Sequence, residues 1–142
     1  MTRSLTLLVL VLPLMAQKCS DDQGRELDVA NMLDKKWVFE SINGQAISLP
    51  DGMEAPWLQF AKEGAQVSGN NGCNSLFGSY GLEGNALSFS GMGTTKMYCE
   101  QTAELEQQVM GVISNTDAVD LKDGALQLLQ NGSSLASLRT SE

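Results

Sequence analysis

The chain has 142 residues, of which 42% are hydrophobic and 18% charged, and this composition fits one globular domain with a short export segment. Seventeen acidic against nine basic residues give a formal net charge of −8, which argues against nucleic acid as a partner. Histidine is absent, so nucleophilic triads and the commonest zinc ligand are excluded. The sequence also lacks the spacing of a phosphate loop, a calcium loop and the G-x-S-x-G element of hydrolases, so we expect a non-enzymatic protein with no cofactor and no metal site.

The N-terminus carries the pattern of an export signal. Arg3 precedes an apolar run from Leu5 to Leu12 that only Thr6 interrupts. An apolar region of about 12 residues is too short to anchor a chain across a bilayer. Residues 1–18 are therefore assigned to an export signal rather than to a buried helix, because the polar residues that follow continue no amphipathic pattern.

Cys19 stands where a bacterial lipoprotein has its lipidated cysteine. Ala16, Gln17 and Lys18 before it match the usual lipobox poorly, whereas the acidic residues after it resemble the tether of surface-displayed lipoproteins. Two outcomes stay open: an outer-membrane or surface lipoprotein, or cleavage near Ala16 that leaves a periplasmic or secreted protein. Residues 19–35 are assigned to a linker, and contact with a membrane is expected only through the lipid.

The domain proper is assigned to residues 36–142, and strand patterns dominate it. Trp37 to Ile42 is rich in aromatic and β-branched residues and ends at an Asn-Gly turn, with Trp37, Phe39 and Ser41 on one face and Ile42 on the other. Two prolines predict an exposed loop over residues 49–56. The further strand candidates, each bounded by turn residues, are 57–60, 65–68, 76–82, 86–89, 119–121, 125–129 and 134–139.

One amphipathic helix interrupts the strands. Leu105, Val109, Val112 and Ile113 follow the spacing of a helix with one apolar face. Thr102 is expected to cap its first turn, and Asn115 to end it. With one packed helix and about eight short strands, we predict a mainly β (α+β) fold, in which an antiparallel barrel-like sheet removes exposed strand edges.

The stretch around Cys73 combines a turn with polar side chains. The Asn71-Gly72 dipeptide predicts a reversal just before the cysteine, and Asn70, Asn71 and Asn74 could line a polar pocket. Asparagine side chains more commonly satisfy the backbone of their own turn, and we interpret them in this way. A reactive thiol at Cys73 would need a base that the sequence does not offer.

Several of these residues carry a resemblance to the META domain family, which includes the HslJ-like heat-shock proteins. The chain resembles the family over roughly residues 36–139. The carriers are Trp37 at the first strand, the Gly72-Cys73-Asn74 run with Gly78 and Tyr80, and Thr95, Met97 and Cys99 before the helix. The resemblance implies a small β-barrel-like exported domain without an established catalytic site. Family members are linked with heat shock, antibiotic tolerance, motility or secretion.

The cysteine count leaves two arrangements open. If Cys19 carries a lipid, Cys73 and Cys99 remain as a possible disulfide across a separation of 26 residues; the alternative is two separate buried thiols. Trp37 and Tyr80 are expected in the core, and Met97 is expected to fill space beneath the helix.

Two functions are compatible with this reading. The first is a monomeric, non-enzymatic envelope module that binds a partner or protects against stress. The second is an inhibitor or small-molecule binder that uses the barrel mouth or the loop 49–56. A filled barrel with an exposed apolar patch would favour a protein partner, and a sizeable apolar cavity would favour a small ligand.

Overall fold

The computed structural model of the protein describes residues 28–141. The predicted export signal, Cys19 and the first part of the predicted linker lie outside these residues. The described chain contains two α-helices, α1 at Val29–Met32 and α2 at Ala103–Asn115, and a single 3₁₀ turn at Glu100–Thr102. The strands are β1 Lys36–Ile42, β2 Gln45–Ala46, β3 Trp57–Phe60, β4 Gln66–Asn70, β5 Ser75–Glu83, β6 Ala86–Thr94, β7 Ala118–Lys122, β8 Ala125–Gln130 and β9 Ser133–Thr140.

The nine strands form one antiparallel sheet that closes into a ring. Neighbours run in the order β2-β1-β3-β4-β5-β6-β7-β8-β9, and β1 also pairs with β9. This closure pairs Trp37 with Thr140 and Ile42 with Ala136. The predicted mainly β, barrel-like class with one packed helix is therefore confirmed. No helix among residues 28–141 is long and apolar enough to cross a membrane.

A β-bulge in β1 corrects one detail of the predicted pattern. Phe39 pairs with Leu138, but Ser41 pairs with Ser137, so Glu40 is an extra residue in the strand. The bulge reverses the alternation. Ile42, which simple alternation placed opposite Trp37 and Phe39, is therefore buried on the same side as both.

The ring encloses a continuous apolar core. Its side chains come from every strand except the short β2 and from the buried face of α2, where Val109, Val112 and Ile113 pack inward. Met32 of α1 is fully buried in this core, and its carbonyl accepts a hydrogen bond of 2.8 Å from Nε1 of Trp37. The packed region consequently begins before residue 36 and includes the end of the predicted linker 19–35.

The ends of α2 are formed differently from each other. Thr102 is the N-cap residue, as predicted, but its side chain makes no capping hydrogen bond, and its buried hydroxyl has no partner among residues 28–141. The 3₁₀ turn at Glu100–Thr102 leads the chain into the helix instead. The predicted end at Asn115 agrees with the structure, and Thr116 donates from both its N–H and its hydroxyl to the carbonyl of Val112.

Candidate functional site

The connection between β4 and β5 is shaped by asparagine side chains. Oδ1 of Asn70 accepts a hydrogen bond of 2.7 Å from the N–H of Gly72. Oδ1 of Asn71 accepts from the N–H groups of Cys73 and Asn74, at 3.2 and 2.7 Å. Gly72 has a φ of +106°, which a residue with a side chain rarely adopts. For Asn70 and Asn71, the expected role in their own turn therefore matches the structure.

Asn74 has a different role, because its side chain reaches across to the segment before α2. Its Oδ1 accepts hydrogen bonds from the N–H of Met97 at 2.7 Å and from the hydroxyl of Thr95 at 2.9 Å. Its Nδ2 donates to the carbonyl of Met97 at 3.0 Å and to Oε2 of Glu106 at 2.9 Å. The residue is only 4% exposed. Asn74 thus ties one loop to both the Thr95–Cys99 segment and the first turns of the helix.

A disulfide bond between Cys73 and Cys99 reinforces the same junction. Their Cα atoms lie 6.0 Å apart, and the bond closes a sequence separation of 26 residues. The alternative of two separate thiols is therefore wrong for this structure. The carboxylate of Glu106 and the two sulfur atoms lie within 4.8 Å of one another. Because the sulfur atoms are bonded to each other, this group presents no thiolate to a metal ion.

We call the arrangement of Cys73, Asn74, Thr95, Cys99 and Glu106 the clamp. The sequence pattern pointed to four of these residues through the family resemblance. Glu106 was missed, because a glutamate in the first turn of a helix is already explained by the helix dipole. The position of Glu106 beside the apolar face of α2 and near Cys99 in the sequence did not indicate its contact with Asn74.

The clamp holds two large side chains toward solvent. Met97 is 63% exposed and Tyr98 is 83% exposed, although both residues lie in the segment that the clamp fixes. The expectation that Met97 fills the core beneath α2 is therefore wrong. Its backbone is anchored through both N–H and C=O by Asn74, and this anchoring leaves the side chain outside. We call Lys96, Met97 and Tyr98 the tip.

The other motif residues lie within the ring. Trp37 is buried as expected. Gly78 faces Met92 on β6, and an added Cβ would lie 2.4 Å from the Met92 sulfur, so the position admits no side chain without rearrangement. Tyr80 is only partly buried: its ring packs edge-on against Phe60, and its hydroxyl donates to the carbonyl of Ala61 at 2.8 Å.

The ionisation of Tyr80 is affected by its surroundings. Desolvation on burial is the main factor that raises the pKa of Tyr80, and the negative charge of Asp34 adds to it. The neutral phenol is therefore the form that suits the hydrogen bond to Ala61. This is the behaviour of a structural tyrosine rather than of a general base near neutral pH.

The loop 49–56 is attached to the sheet at its far end. Pro56 is buried and its carbonyl accepts from the N–H of Phe39 at 2.9 Å. Glu54 forms an ion pair of 2.8 Å with Lys36, whose ammonium group also lies 4.6 Å from the ring centre of Trp57. No convergent set of polar side chains is formed by the described contacts of this loop. Its last residue, Pro56, lies beside Gly72, next to the clamp residue Cys73.

The fold and the clamp define a class of small mainly β domain in which a disulfide joins a strand connection to the segment before a packed helix. The chain belongs to the META domain family, whose model matches residues 30–142. No curated protein matches the sequence. The family assignment made from the Gly72-Cys73-Asn74 and Thr95-x-Met97-x-Cys99 patterns is therefore confirmed.

Two solved structures share the fold. One, described as an NMR structure of a protein, has a TM-score of 0.61 and 23% identity, and the match covers 78% of this chain and 92% of that one. The other, an NMR structure of a protein from Burkholderia xenovorans, has a TM-score of 0.61 and 21% identity, over 99% of this chain and 97% of that one. At these identities the likeness establishes the fold alone.

Proposed function

We propose that the protein is a non-enzymatic, exported module of the cell envelope that binds a protein partner through its tip. The observation that carries this proposal is the contrast between anchoring and exposure at Met97. Its backbone is held at two atoms by a buried asparagine, while its side chain and that of Tyr98 face solvent. If the protein protects the cell against stress, we propose that it does so through the partner that the tip binds.

The rigidity of the tip favours binding. A flexible loop loses conformational freedom when it binds, and that loss offsets part of the contact energy. Here the disulfide and the four hydrogen bonds of Asn74 have already removed much of that freedom. Exposed tyrosine and methionine side chains on a fixed backbone are typical of the residues that dominate protein interfaces.

The filled interior of the ring supports a protein partner over a small ligand. Large side chains from the strands, including Trp37, Phe60 and Leu58, are fully or almost fully buried in one core. Three clefts lined by described residues open to solvent and have volumes of about 270 to 400 Å³. The second function, a small-molecule binder at the barrel mouth or the loop 49–56, gains no comparable support.

Export is supported by the sequence and by the disulfide. The N-terminal pattern is that of an export signal, and disulfides persist in oxidising compartments. A lipid on Cys19 would place the module at a membrane surface. Labelling of cells with a fatty-acid analogue tests this anchor: label is expected on the wild type and not on Cys19→Ser, and an unlabelled wild type would contradict it.

Site-specific crosslinking in cells tests the binding function. A photoreactive phenylalanine analogue is placed at Tyr98 in the full chain, with a matched control at Glu63 in the exposed turn between β3 and β4. We expect one discrete adduct from position 98 and none from position 63. Substitution of Met97 by Ser in the crosslinking variant should remove the adduct without changing the unfolding midpoint, because Met97 side-chain atoms lie largely in solvent.

Two results would contradict the proposal. The first is the absence of any adduct from position 98 under conditions in which the protein is expressed and folded. The second is an adduct that persists when Met97 is replaced, or that forms equally from the control position. Either result would mean that the exposed side chains of the tip have no specific partner.

A further inference from the structure

The ring of strands has one weak join, between β6 and β7. These strands are paired at a single position, Ala86 with Ala118, whereas β7 and β8 are paired at five positions and β5 and β6 at seven. Beyond Ala86, β6 continues to Thr94. The segment before β7, which would have to pair with this part of β6, forms the helix α2 instead. Within residues 28–141, β6 therefore has no strand partner on this side from Ser88 onward.

The backbone of Phe89 faces this open edge. Phe89 pairs with Tyr80 of β5, but the N–H of Tyr80 donates away from β6, to the carbonyl of Ala65. In an antiparallel pair the two residues then belong to a position without hydrogen bonds between them, so the N–H and C=O of Phe89 point to the opposite side. Leu87, two residues earlier, behaves in the same way and donates to the carbonyl of Asp117.

Among the described residues, the carbonyl of Leu87 is also left without a main-chain donor at this edge. In a regular ladder it would accept from the N–H of Asp117, but that N–H donates to the carbonyl of Leu129 instead. Three main-chain groups therefore face outward in a row: the carbonyl of Leu87 and the N–H and C=O of Phe89. This spacing of donors and acceptors is complementary to an extended backbone.

A cleft of about 400 Å³ runs between this edge and α2. Its apolar surface comes from Phe89 and Met92 of β6 and from Met110 and Ile113 of α2, and serines 88, 90 and 114 lie along it. Toward Ala86, a second cleft of about 360 Å³ shares Ser88 and contains the acidic residues Glu83 and Asp117. The edge is thus bordered by a mixture of hydroxyl and apolar side chains along its length and by negative charge at one end.

We propose that this edge binds an extended peptide segment of a partner protein, which adds to β6 as an antiparallel strand with a basic residue near its C-terminal end. Antiparallel addition directs that end of the peptide toward Glu83 and Asp117, because β6 itself runs away from Ala86. Alternate side chains of the segment enter the cleft beside Met110 and Ile113. This site lies on other residues than the tip and does not depend on the function proposed for it.

A titration of the full chain followed by ¹⁵N NMR tests the proposal. The probe is a synthetic nine-residue peptide of alternating valine and serine with two lysines at its amidated C-terminal end. We expect shift changes centred on Ser88 to Met92 and slowed hydrogen exchange at the Phe89 amide. The same peptide with N-methyl groups on alternate residues retains its side chains but loses edge hydrogen bonds, so it should bind at least about tenfold more weakly.

Matched variants test separately whether peptide binding depends on the negative charge and whether it depends on the cleft. Glu83→Gln should weaken binding about threefold to fivefold, whereas Glu63→Gln, also exposed but on the β3–β4 turn, should leave it unchanged. Ser114→Trp on the exposed side of α2 should fill the cleft and abolish the shifts. Its unfolding midpoint, measured in parallel, shows that the variant is folded.

Four results would overturn the proposal. One is the absence of shift changes on β6 at about 1 mM peptide. Others are equal binding of the N-methylated peptide, and shift changes that map to Met97 and Tyr98 instead. The last is a Phe89 amide already protected from exchange in the free full chain, which would show that the edge is covered by the chain's own residues before Asp28.

Discussion

Substitution of Asn74 by aspartate probes the clamp more sharply than any deletion, because it changes two hydrogen-bond donors into acceptors at constant shape. Oδ1 could still accept from Met97 N–H and the Thr95 hydroxyl. The second oxygen, which replaces Nδ2, would face the carbonyl of Met97 and the carboxylate of Glu106, and neither can donate to it. A buried carboxylate would thus stand against two oxygen atoms.

The expected loss of unfolding free energy at pH 7 is about 5 to 7 kcal/mol. Two hydrogen bonds worth about 1 kcal/mol each disappear, and the uncompensated charge at a 4% exposed position adds about 3 to 5 kcal/mol. Asn74→Ala removes all four hydrogen bonds, at about 1 kcal/mol each, without adding charge, so about 4 kcal/mol is expected. Asn85→Asp, in the exposed β5–β6 turn, serves as the neutral control.

The destabilisation by Asn74→Asp should depend on pH, and the direction of this dependence tests whether the introduced charge is its cause. Burial and the charge of Glu106 should raise the pKa of the introduced carboxyl above its value in the unfolded chain. The unfolded chain then loses this proton at lower pH than the folded one, so the penalty grows as pH rises from about 4. Below that range the protonated acid can donate to Met97 or Glu106, and the difference from Asn74→Ala should shrink.

Urea unfolding at pH 7 and at pH 5, followed by tryptophan fluorescence, measures both quantities. The reasoning is refuted if Asn74→Asp costs no more than Asn74→Ala at pH 7, or if acidification leaves the gap between them unchanged. A loss in Asn85→Asp equal to that in Asn74→Asp would likewise show that the effect comes from net charge and not from the clamp.

Three further predictions concern other parts of the fold. Replacing both Cys73 and Cys99 by serine should lower the unfolding free energy by about 3.5 kcal/mol, from the loop entropy of the 26-residue separation, and reductant should have no further effect on that variant. Because the folded pKa of Tyr80 is raised, stability should fall as pH rises above the unfolded value of 10.0; Tyr80→Phe should lack this part of the alkaline loss, as urea titrations at several pH values would show. Gly69→Ala should cost several kcal/mol, about 3 or more, because its Cβ would lie 2.2 Å from the carbonyl oxygen of Trp57, and thermal unfolding would measure it.

Strands bounded by clear turns were predictable from the sequence. Trp57–Phe60 was predicted with its observed bounds, since alternation and flanking turns coincide there. β6 was predicted only as far as Phe89, although it extends to Thr94. Its second half, Ser90 to Thr94, is rich in glycine and serine and has no apolar alternation, so only pairing with β5 defines it as strand.

The side of the sheet on which side chains lie after a bulge could not be predicted. The alternation rule assumes a strand without insertions, and the extra residue Glu40 is visible only in the pairing of β1 with β9. The same limit applies in β6, where Gly91 at φ +59° accompanies a register shift opposite Phe77 and Ser79. Long-range pairing, which sequence patterns do not contain, determines both.

For the candidate site, the sequence indicated the residues but not their geometry. Asn74 lies beside two asparagines that serve their own turn, and nothing local distinguishes its reach of 23 residues to Met97. Met97 and Tyr98 have the apolar character of core residues, and the general preference for burying such side chains led to the wrong prediction for Met97. Their exposure results from contacts that the backbone makes elsewhere.

The spacing of Thr95, Met97 and Cys99 has a physical explanation in the clamp. Cys99 has extended backbone angles, and the three alternate positions supply a hydroxyl, a backbone N–H and C=O, and a sulfur atom to the same loop. Asn74 and Cys73 receive these groups. Such a segment is fixed by every second residue, which leaves Lys96 and Tyr98 without a role in the attachment. The clamp can therefore be kept while the chemistry of the tip changes, and the binding function that we propose for the tip would need this separation.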